Sequence, residues 1–157
     1  MKTGCIILAG GAGKRMKSEK PKVLCEVLKK PMLGWVLDAA EKFGFDRIAV
    51  VTGYKREQTE EYINSRGGNI EVFCQPEQKG TGDAVNCAID LIRATDHVCV
   101  LNGDAPFIDA DSISEALTCM MTRRANAVVI SAEISDPTGY GRIIRERGGF
   151  RAIREQK

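Results

Sequence analysis

The feature that most constrains this chain is the alternation of short apolar runs with segments of helical spacing. The runs are rich in Ile, Val, Ala and Cys, as short buried strands are. In the first helical segment Met32, Val36, Leu37 and Ala40 recur at helical spacing. Such alternation is typical of βαβ units and predicts an α/β fold with a mainly parallel sheet. The expected strands are 4–9, 47–52, 70–74, 97–102 and 127–134, and the expected helices are 32–43, 56–65, 80–94 and 111–124.

Composition narrows the class of protein. A chain of 157 residues with 43% hydrophobic and 28% charged residues fits one globular domain. Six cysteines without a Cys-x-x-Cys pair indicate reduced core residues, not a disulfide frame or a zinc site. The apolar start at 5–9 is too short for a signal peptide, and no apolar run reaches the roughly 20 residues that span a bilayer. We therefore expect a cytoplasmic protein with no membrane and no nucleic-acid partner.

Positive charge is concentrated at the two ends of the chain. Residues 1–30 contain eight Lys or Arg and two acids, and residues 142–157 contain six and two. Either these ends are ordinary solvated surface or they converge on an anion.

The segment LAGGAGKRM, residues 8–16, follows the first expected strand and combines three glycines with two cations. Glycines let backbone N–H groups approach an anion closely, and Lys14 and Arg15 add positive charge. The spacing fits neither a Walker A loop nor the dinucleotide-binding pattern, in which Met16 would have to be glycine. Pro21 restricts the chain before Lys22, so Arg15 and Lys22 could reach one phosphate chain. The alternative is a mobile basic loop.

Two further strand ends carry candidate ligand-binding residues, at the edge where open α/β sheets bind ligands. Gly80 and Thr81 precede the third helix and offer backbone donors to a base or an anion, unless Thr81 is simply a helix cap. Asp104 follows the fourth strand and suits Mg²⁺, unless Asn-Gly-Asp is a plain turn. At the fourth helix, Asp109 and Asp111 are both expected to cap, and the spacing of Ser112 and Glu115 predicts a capping box.

Five motifs together resemble the sugar-nucleotide pyrophosphorylases in order and spacing. They are LAGGAGKRM, KPKVL, QPEQKGTGDA, LNGDAPF and DPTGYGRI. Within that family the chain is most similar to the amino-terminal uridylyltransferase domain of bacterial bifunctional UDP-N-acetylglucosamine pyrophosphorylase/glucosamine-1-phosphate N-acetyltransferase. The resemblance implies the Rossmann-like, three-layer nucleotide-diphospho-sugar transferase fold, with helices on both faces of a mainly parallel sheet.

The resemblance also implies a reaction. It is the Mg²⁺-dependent transfer of a uridylyl group from UTP to N-acetylglucosamine 1-phosphate, which gives UDP-N-acetylglucosamine and pyrophosphate for cell-wall synthesis. The sugar phosphate is itself the nucleophile, so positioning and charge neutralisation can suffice. By motif position, Arg15 and Lys22 would be catalytic phosphate-binding residues and Asp104 the Mg²⁺ ligand. The implied substrate-binding residues are Leu8, Ala9, Gly10, Gly11, Gln75, Gly80, Thr81, Asn102, Gly141 and Glu155.

The chain departs from the family pattern at several positions. Asn102 stands where relatives usually have Tyr, Asp83 where they have His, and Lys14 where they more often have Thr. The family also continues beyond the match, through a segment that completes the sugar pocket and supplies a second metal ligand. Bifunctional members add a β-helix acetyltransferase domain, through which they mainly oligomerise. We therefore expect 1–157 to be the amino-terminal part of the uridylyltransferase domain, with nucleotide binding and weak turnover.

Other functions stay open. One is a different nucleotidyltransferase of the same fold, such as a guanylyltransferase of molybdenum-cofactor metabolism. A second is a nucleotide-binding module without catalysis. A receiver-type signalling domain with Asp104 as phosphoacceptor is disfavoured, because receivers do not need a glycine and cation loop after the first strand.

Overall fold

The fold is seen in a computed structural model that describes residues 1–13, 16 and 18–155. In chain order the strands are β1 (Thr3–Leu8), β2 (Glu26–Val27), β3 (Lys30–Pro31), β4 (Arg47–Thr52), β5 (Ile70–Cys74), β6 (His97–Asn102), β7 (Arg142–Glu146) and β8 (Gly149–Arg154). The helices are α1 (Met32–Phe43), α2 (Arg56–Arg66), α3 (Thr81–Cys87), α4 (Ile89–Arg93) and α5 (Ala110–Thr122). A 3-10 turn, Lys22–Leu24, lies between β1 and β2.

The central sheet is parallel and has the order β5-β4-β1-β6, which confirms the predicted sheet and its first four strands. β1 pairs with β4 on one side and with β6 on the other, so the strand order reverses between β1 and β6. Open α/β sheets bind ligands in the crevice at such a reversal. Leu8 pairs with Asn102 at the carboxyl ends of these two strands. The residues that follow them therefore share one site.

Helices cover both faces of the sheet, as predicted for a three-layer fold. Because side chains alternate along a strand, Cys5 and Ile7 of β1 face one core while Ile6 faces the other. The first core includes Leu37 of α1 and further residues of α2 and α5, and the second includes Leu91 of α4. All five side chains are fully buried. The apolar side chains of β1 thus pack in the cores on both faces of the sheet.

Helix α1 spans the predicted residues 32–43. The expected helix 80–94 is instead two helices, α3 and α4, which meet at Ala88, where the backbone leaves the helical region with φ −98° and ψ 30°. Residues Ala84, Ala88 and Leu91 are all buried in the second core, so one apolar face continues across the break. Apolar spacing alone does not reveal such a local change in backbone angle.

The start of α5 corrects one expectation and confirms another. The predicted capping box of Ser112 and Glu115 is wrong, because the helix begins earlier and its cap is Asp109. The Asp109 carboxylate accepts a hydrogen bond from the backbone N–H of Ser112 at 2.8 Å. Hydrogen bonds from the hydroxyl and backbone N–H of Ser112 hold the pKa of Asp109 below its ordinary value.

The expected fifth strand, 127–134, is wrong. Within the described part of the chain this segment forms no strand, and the sheet ends at β6, where Val100 is 44% exposed. The next paired elements, β7 and β8, form a separate antiparallel hairpin. A strand requires a hydrogen-bonding partner, and an apolar β-branched run does not supply one.

No cysteine among the six, all of which are described, forms a disulfide. Among residues 1–13, 16 and 18–155, no helix has the length and apolar character needed to cross a bilayer.

Candidate functional site

A cavity of about 380 Å³ lies at the carboxyl ends of β1 and β6, where the strand order reverses. Its wall is formed by the glycine loop after β1, the 3-10 turn, the connection from β5 to α3, and the residues that end β6. The lining residues are Leu8, Gly10, Gly11, Gly13, Lys22, Val23, Gln75, Gln78, Gly80, Thr81, Ala84, Asn102 and Asp104.

A second and larger cavity, of about 570 Å³, lies along the exposed edge of β6 and the segment 126–130. Its lining is mostly apolar, and none of the described residues in it is Lys, Arg, Asp or Glu. The cavity at the strand ends contains both a cation and a carboxylate, and we therefore consider it the candidate site.

Lys22 is placed at this cavity by the 3-10 turn. Pro21 precedes the turn and its carbonyl accepts the backbone N–H of Leu24 at 2.9 Å. Val23, in the middle of the turn, is buried in the core. The turn is anchored through Val23, while the neighbouring Lys22 lines the cavity.

Asp104 is placed by a close approach of two chain segments. The backbone N–H of Gly103 donates to the carbonyl of Leu8 at 2.9 Å, which ties the end of β6 to the end of β1. A Cβ at position 103 would lie 2.9 Å from that carbonyl oxygen, so only glycine fits. The carbonyl of Asn102 then accepts the N–H of Ala105 in a turn, and Asp104 lines the cavity.

Lys22 and Asp104, 82 residues apart in the chain, form an ion pair across the cavity. Lys22 Nζ donates to Asp104 Oδ2 at 2.6 Å. Both side chains are about one third exposed, 36% and 35%. Water screens such a pair, and it contributes at most about 1 kcal/mol to folding. The ion pair therefore adds little to the stability of the fold. Both charged groups are exposed enough to contact a ligand.

Two glutamines hold the connection from β5 to α3 against the glycine loop. Gln75 is buried, and its Nε2 donates to the carbonyl of Gly80 at 3.1 Å and to Asp83 Oδ2 at 2.8 Å. Gln78 Nε2 donates to the carbonyl of Gly10 at 2.8 Å. These hydrogen bonds fix the two loops that face each other across the cavity.

Most of the residues predicted for the site line this cavity. They are Leu8, Gly10, Gly11, Lys22, Gln75, Gly80, Thr81, Asn102 and Asp104. Ala9 does not line it, because it is buried and its N–H donates to the carbonyl of Val51 at 2.8 Å. Arg15 lies outside the described residues. The individual binding roles remain predictions.

Gly141 and Glu155 lie together but not at the cavity. A Cβ at Gly141 would be 2.9 Å from Glu155 Oε1, so the two residues are neighbours at the open end of the β7–β8 hairpin. Neither lines the cavity at the strand ends. The described residues thus bring together the predicted nucleotide side of the site and leave the two predicted sugar contacts apart from it.

Sequence reasoning missed several residues at the site. Gln78 and Gly13 line the cavity, and Asp83 holds Gln75 from outside it. Gln78 lies in the segment QPEQKGTGDA, so its place at a strand end was the signal that could have identified it. For Asp83, the signal was its departure from the His of the family pattern, and the structure adds the hydrogen bond from Gln75.

Asp104 is the group in this cavity best suited to a divalent metal. The described residues contain no cluster of three or more His, Cys, Asp or Glu that could hold a metal ion by itself. Mg²⁺ commonly binds one or two carboxylates and keeps water and phosphate oxygens as its other ligands. A single carboxylate beside a phosphate-sized space therefore fits Mg²⁺.

Comparisons with known proteins agree with this fold. The sequence profile of the MobA-like NTP transferase domain matches residues 5–153. The chain is 41% identical over 144 residues to the bifunctional protein GlmU of Thermoanaerobacter pseudethanolicus, covering 92% of this chain and 31% of the relative. It is 41% identical over 160 residues to the bifunctional protein GlmU of Sorangium cellulosum, covering 97% and 34%. The chain thus spans about a third of the length of these curated relatives.

Solved structures show the same fold at low sequence identity. HddC from Yersinia pseudotuberculosis superposes with a TM-score of 0.72 at 19% identity, covering 98% of this chain and 69% of that one. A CMP:2-keto-3-deoxy-manno-octonic acid synthetase complexed with CTP superposes with a TM-score of 0.60 at 22% identity, covering 80% and 49%.

Proposed function

Because the chain belongs to the family of nucleotidyltransferases with a MobA-like NTP transferase domain, we propose that it binds UTP for uridylyl transfer. The acceptor would be N-acetylglucosamine 1-phosphate, and the products UDP-N-acetylglucosamine and pyrophosphate. The reaction would take place in the cytoplasm and would supply a cell-wall precursor.

One observation carries the proposal: a lysine and an aspartate face each other across a glycine-lined cavity at the reversal of strand order. A triphosphate requires positive charge and close backbone approach, which Lys22 and the loop with Gly10 and Gly11 offer. A phosphate-bound Mg²⁺ requires a hard oxygen ligand, which Asp104 offers. The motif resemblance and the GlmU relatives favour uridylyl transfer over other nucleotidyl transfers.

Each residue would have a physical task in this reaction. Lys22 would bind phosphate oxygens and neutralise charge that develops as pyrophosphate leaves. Arg15 would contribute a second cation to the same phosphates. Gly10 and Gly11 would allow the nucleotide to lie against the backbone. Gln75, Gly80 and Thr81 would face the base.

Asp104 would hold Mg²⁺, which when bound offsets negative charge on the phosphate oxygens. Its present partner is Lys22 Nζ, so nucleotide binding would exchange one cation on this carboxylate for another. Catalysis needs no side-chain base, because the acceptor phosphate is itself anionic. Gly141 and Glu155 are the proposed sugar contacts, although they lie away from the cavity.

Calorimetric titration of the 157-residue chain with UTP, with and without Mg²⁺, tests the proposal. We expect saturable binding that is tighter with Mg²⁺, and a larger rise in melting temperature with UTP than with CTP or ATP. GTP is the discriminating competitor, and a clear preference for GTP would replace uridylyl by guanylyl transfer. Absence of binding by all four nucleotides, in a sample that circular dichroism shows to be folded, would refute a nucleotide site.

Turnover is the second test. Release of pyrophosphate from UTP that depends on N-acetylglucosamine 1-phosphate would support transfer by this chain. UTP binding without release of pyrophosphate would favour the alternative hypothesis of a nucleotide-binding module without catalysis.

A further inference from the structure

The amide of Gln75 has both of its donors occupied. One N–H of Nε2 donates to the carbonyl of Gly80 at 3.1 Å, and the other donates to Asp83 Oδ2 at 2.8 Å. A carbonyl and an ionised carboxylate can only accept hydrogen bonds. The two partners therefore determine which end of the amide faces them, since a reversed amide would direct its oxygen at two other oxygens.

The oxygen of the same amide points the other way. Gln75 Oε1 is 3.4 Å from where a Cβ of Gly10 would lie, so the oxygen lies against the glycine loop at the wall of the cavity. No described residue donates a hydrogen bond to it, although Gln75 is only 5% exposed. The oxygen itself is reached by solvent. An accessible carbonyl without a protein donor in a ligand cavity is suited to a ligand that donates.

Nucleobases differ in the donor that they could offer to this oxygen. Uracil carries an N–H at ring position N3, and guanine carries one at N1. Cytosine and adenine have a bare nitrogen acceptor at the corresponding positions. An acceptor fixed opposite this ring edge favours uracil or guanine. With cytosine or adenine, a lone pair of the Gln75 oxygen would face the lone pair of the ring nitrogen.

We propose that Asp83 is a positioning residue for base selection: it fixes the Gln75 amide so that Oε1 faces the base, and the site therefore accepts uracil and rejects cytosine. The inference rests on the proposed function, in which Gln75 faces the base. Asp83 acts only through Gln75, because it does not itself line the cavity. It lies in the first turn of α3, and its side chain is held at the Gln75 amide.

The test compares the affinities for UTP and CTP in the presence of Mg²⁺, in the unaltered chain and in three variants. Asp83→Asn is nearly isosteric but can also donate, so it permits the reversed amide. Asp83→Lys can only donate, so it favours the reversed amide. Asp111→Asn is the matched control, because Asp111 is also an acid in the first turn of a helix and lies away from this cavity. The ratio of the two affinities is insensitive to partial unfolding, since both affinities fall with the folded fraction.

We expect the unaltered chain and Asp111→Asn to prefer UTP over CTP by roughly 10- to 100-fold, the effect of one unmade buried hydrogen bond. The preference should decrease in Asp83→Asn and disappear or reverse in Asp83→Lys. If the UTP preference of Asp83→Lys differs from that of the unaltered chain by less than about twofold, the change is too small for a lost hydrogen bond, and the inference is overturned. Equal binding of UTP and CTP by the unaltered chain would overturn it as well and leave nucleotide binding intact. Absence of binding to either nucleotide would overturn the proposed function, and this inference with it.

Discussion

Gly11 and Gly13 allow a sharp test of how the glycine loop works, because an added methyl group would meet different surroundings at each. Gly13 has φ +56°, in the left-handed region, and a Cβ there would lie 2.7 Å from the Cβ of Lys22. Gly11 lies outside that region, and a Cβ there would have no atom within 4 Å. Both residues line the cavity. Gly13→Ala should therefore change stability, and Gly11→Ala should change binding.

The magnitudes follow from these contacts. For Gly13→Ala, the left-handed backbone costs about 1–2 kcal/mol and the forced shift of Lys22 about 1–2 more, so the total is about 2–4 kcal/mol. In a chain of this size that corresponds to a fall in melting temperature of about 4–16 °C. Gly11→Ala removes only freedom of the unfolded chain, so it should raise the melting temperature by about 1–4 °C.

Binding should show the opposite order of effects. The methyl group of Gly11→Ala would occupy space that the nucleotide needs, and we expect UTP affinity to fall by about 5- to 150-fold, the range of a 1–3 kcal/mol steric cost. Thermal unfolding followed by circular dichroism measures the stability of both variants. Titration with UTP and Mg²⁺, at a temperature where both are folded, measures binding.

The result that would refute this reasoning is specific. If Gly13→Ala melts with the unaltered chain, the left-handed turn and its contact with Lys22 are not features of the folded protein. If Gly11→Ala binds UTP with unchanged affinity, the nucleotide does not lie against this part of the loop. Each variant serves as the control for the other, because the same substitution is made two residues apart.

Three further predictions concern charged residues. Lys22→Ala should weaken UTP binding by about 1.5–3 kcal/mol while changing the free energy of unfolding by less than about 1 kcal/mol, because its ion pair is screened. Calorimetry measures the binding and denaturation measures the stability. An equal loss of UTP affinity in the Lys20→Ala control would indicate a non-specific charge effect. Asp104→Asn should abolish the effect of Mg²⁺ on UTP affinity, and a Mg²⁺ effect that persists would place the metal elsewhere. Asp109→Ala should lower the melting temperature at neutral pH by removing the cap of α5. Hydrogen bonds from Ser112 lower the pKa of Asp109 in the folded state, so the difference in melting temperature between Asp109→Ala and the unaltered chain should be complete at pH values above the ordinary pKa of 3.8. The difference should disappear as the pH falls through the lowered pKa of the folded state. A difference in melting temperature that persists in acid would contradict the cap.

The parallel strands and α1 could be predicted because each is specified by residues close together in the chain. In α1, Val36, Leu37 and Ala40 recur at helical spacing and are all fully buried. In β1, Ile6 and Ile7 face opposite cores, so the run is apolar throughout, as the strand of a two-sided sheet must be. Local pattern and tertiary packing therefore agree at these elements.

The segment 127–134 shows where such reasoning fails. Its sequence, AVVISAEI, has the composition of a buried strand, yet Val129, Ile130 and Ile134 are exposed and the segment is unpaired among the described residues. Burial and pairing come from other parts of a protein, and a local pattern cannot show whether they are present. The same reason explains why the sequence also favoured a capping box at Ser112, since Asp109 and Ser112 are both good capping residues and only the geometry selects Asp109.

The candidate site was partly predictable because parallel strands bring their carboxyl ends to one edge of the sheet. That rule was enough to group Lys22, Gly80 and Asp104, whereas Gln75 was expected there only from the motif resemblance. It could not show that Lys22 and Asp104 touch, because the contact depends on strand order, and sequence does not state that β6 lies beside β1. Nor could it show the hydrogen bond from the Gln75 amide to Asp83.

The strand order also ties the site to the folding of one particular strand. Lys22 is anchored through Val23 to the core, whereas Asp104 reaches the cavity only because β6 pairs with β1 and Gly103 bonds to Leu8. β6 is one of the two edge strands of the described sheet, so it is paired on one side only. A ligand that bridges Lys22 and Asp104 binds only when β6 is in place, so by mass action it stabilises that edge. If the proposed function holds, nucleotide binding and the order of β6 are therefore coupled through the same pair of charges.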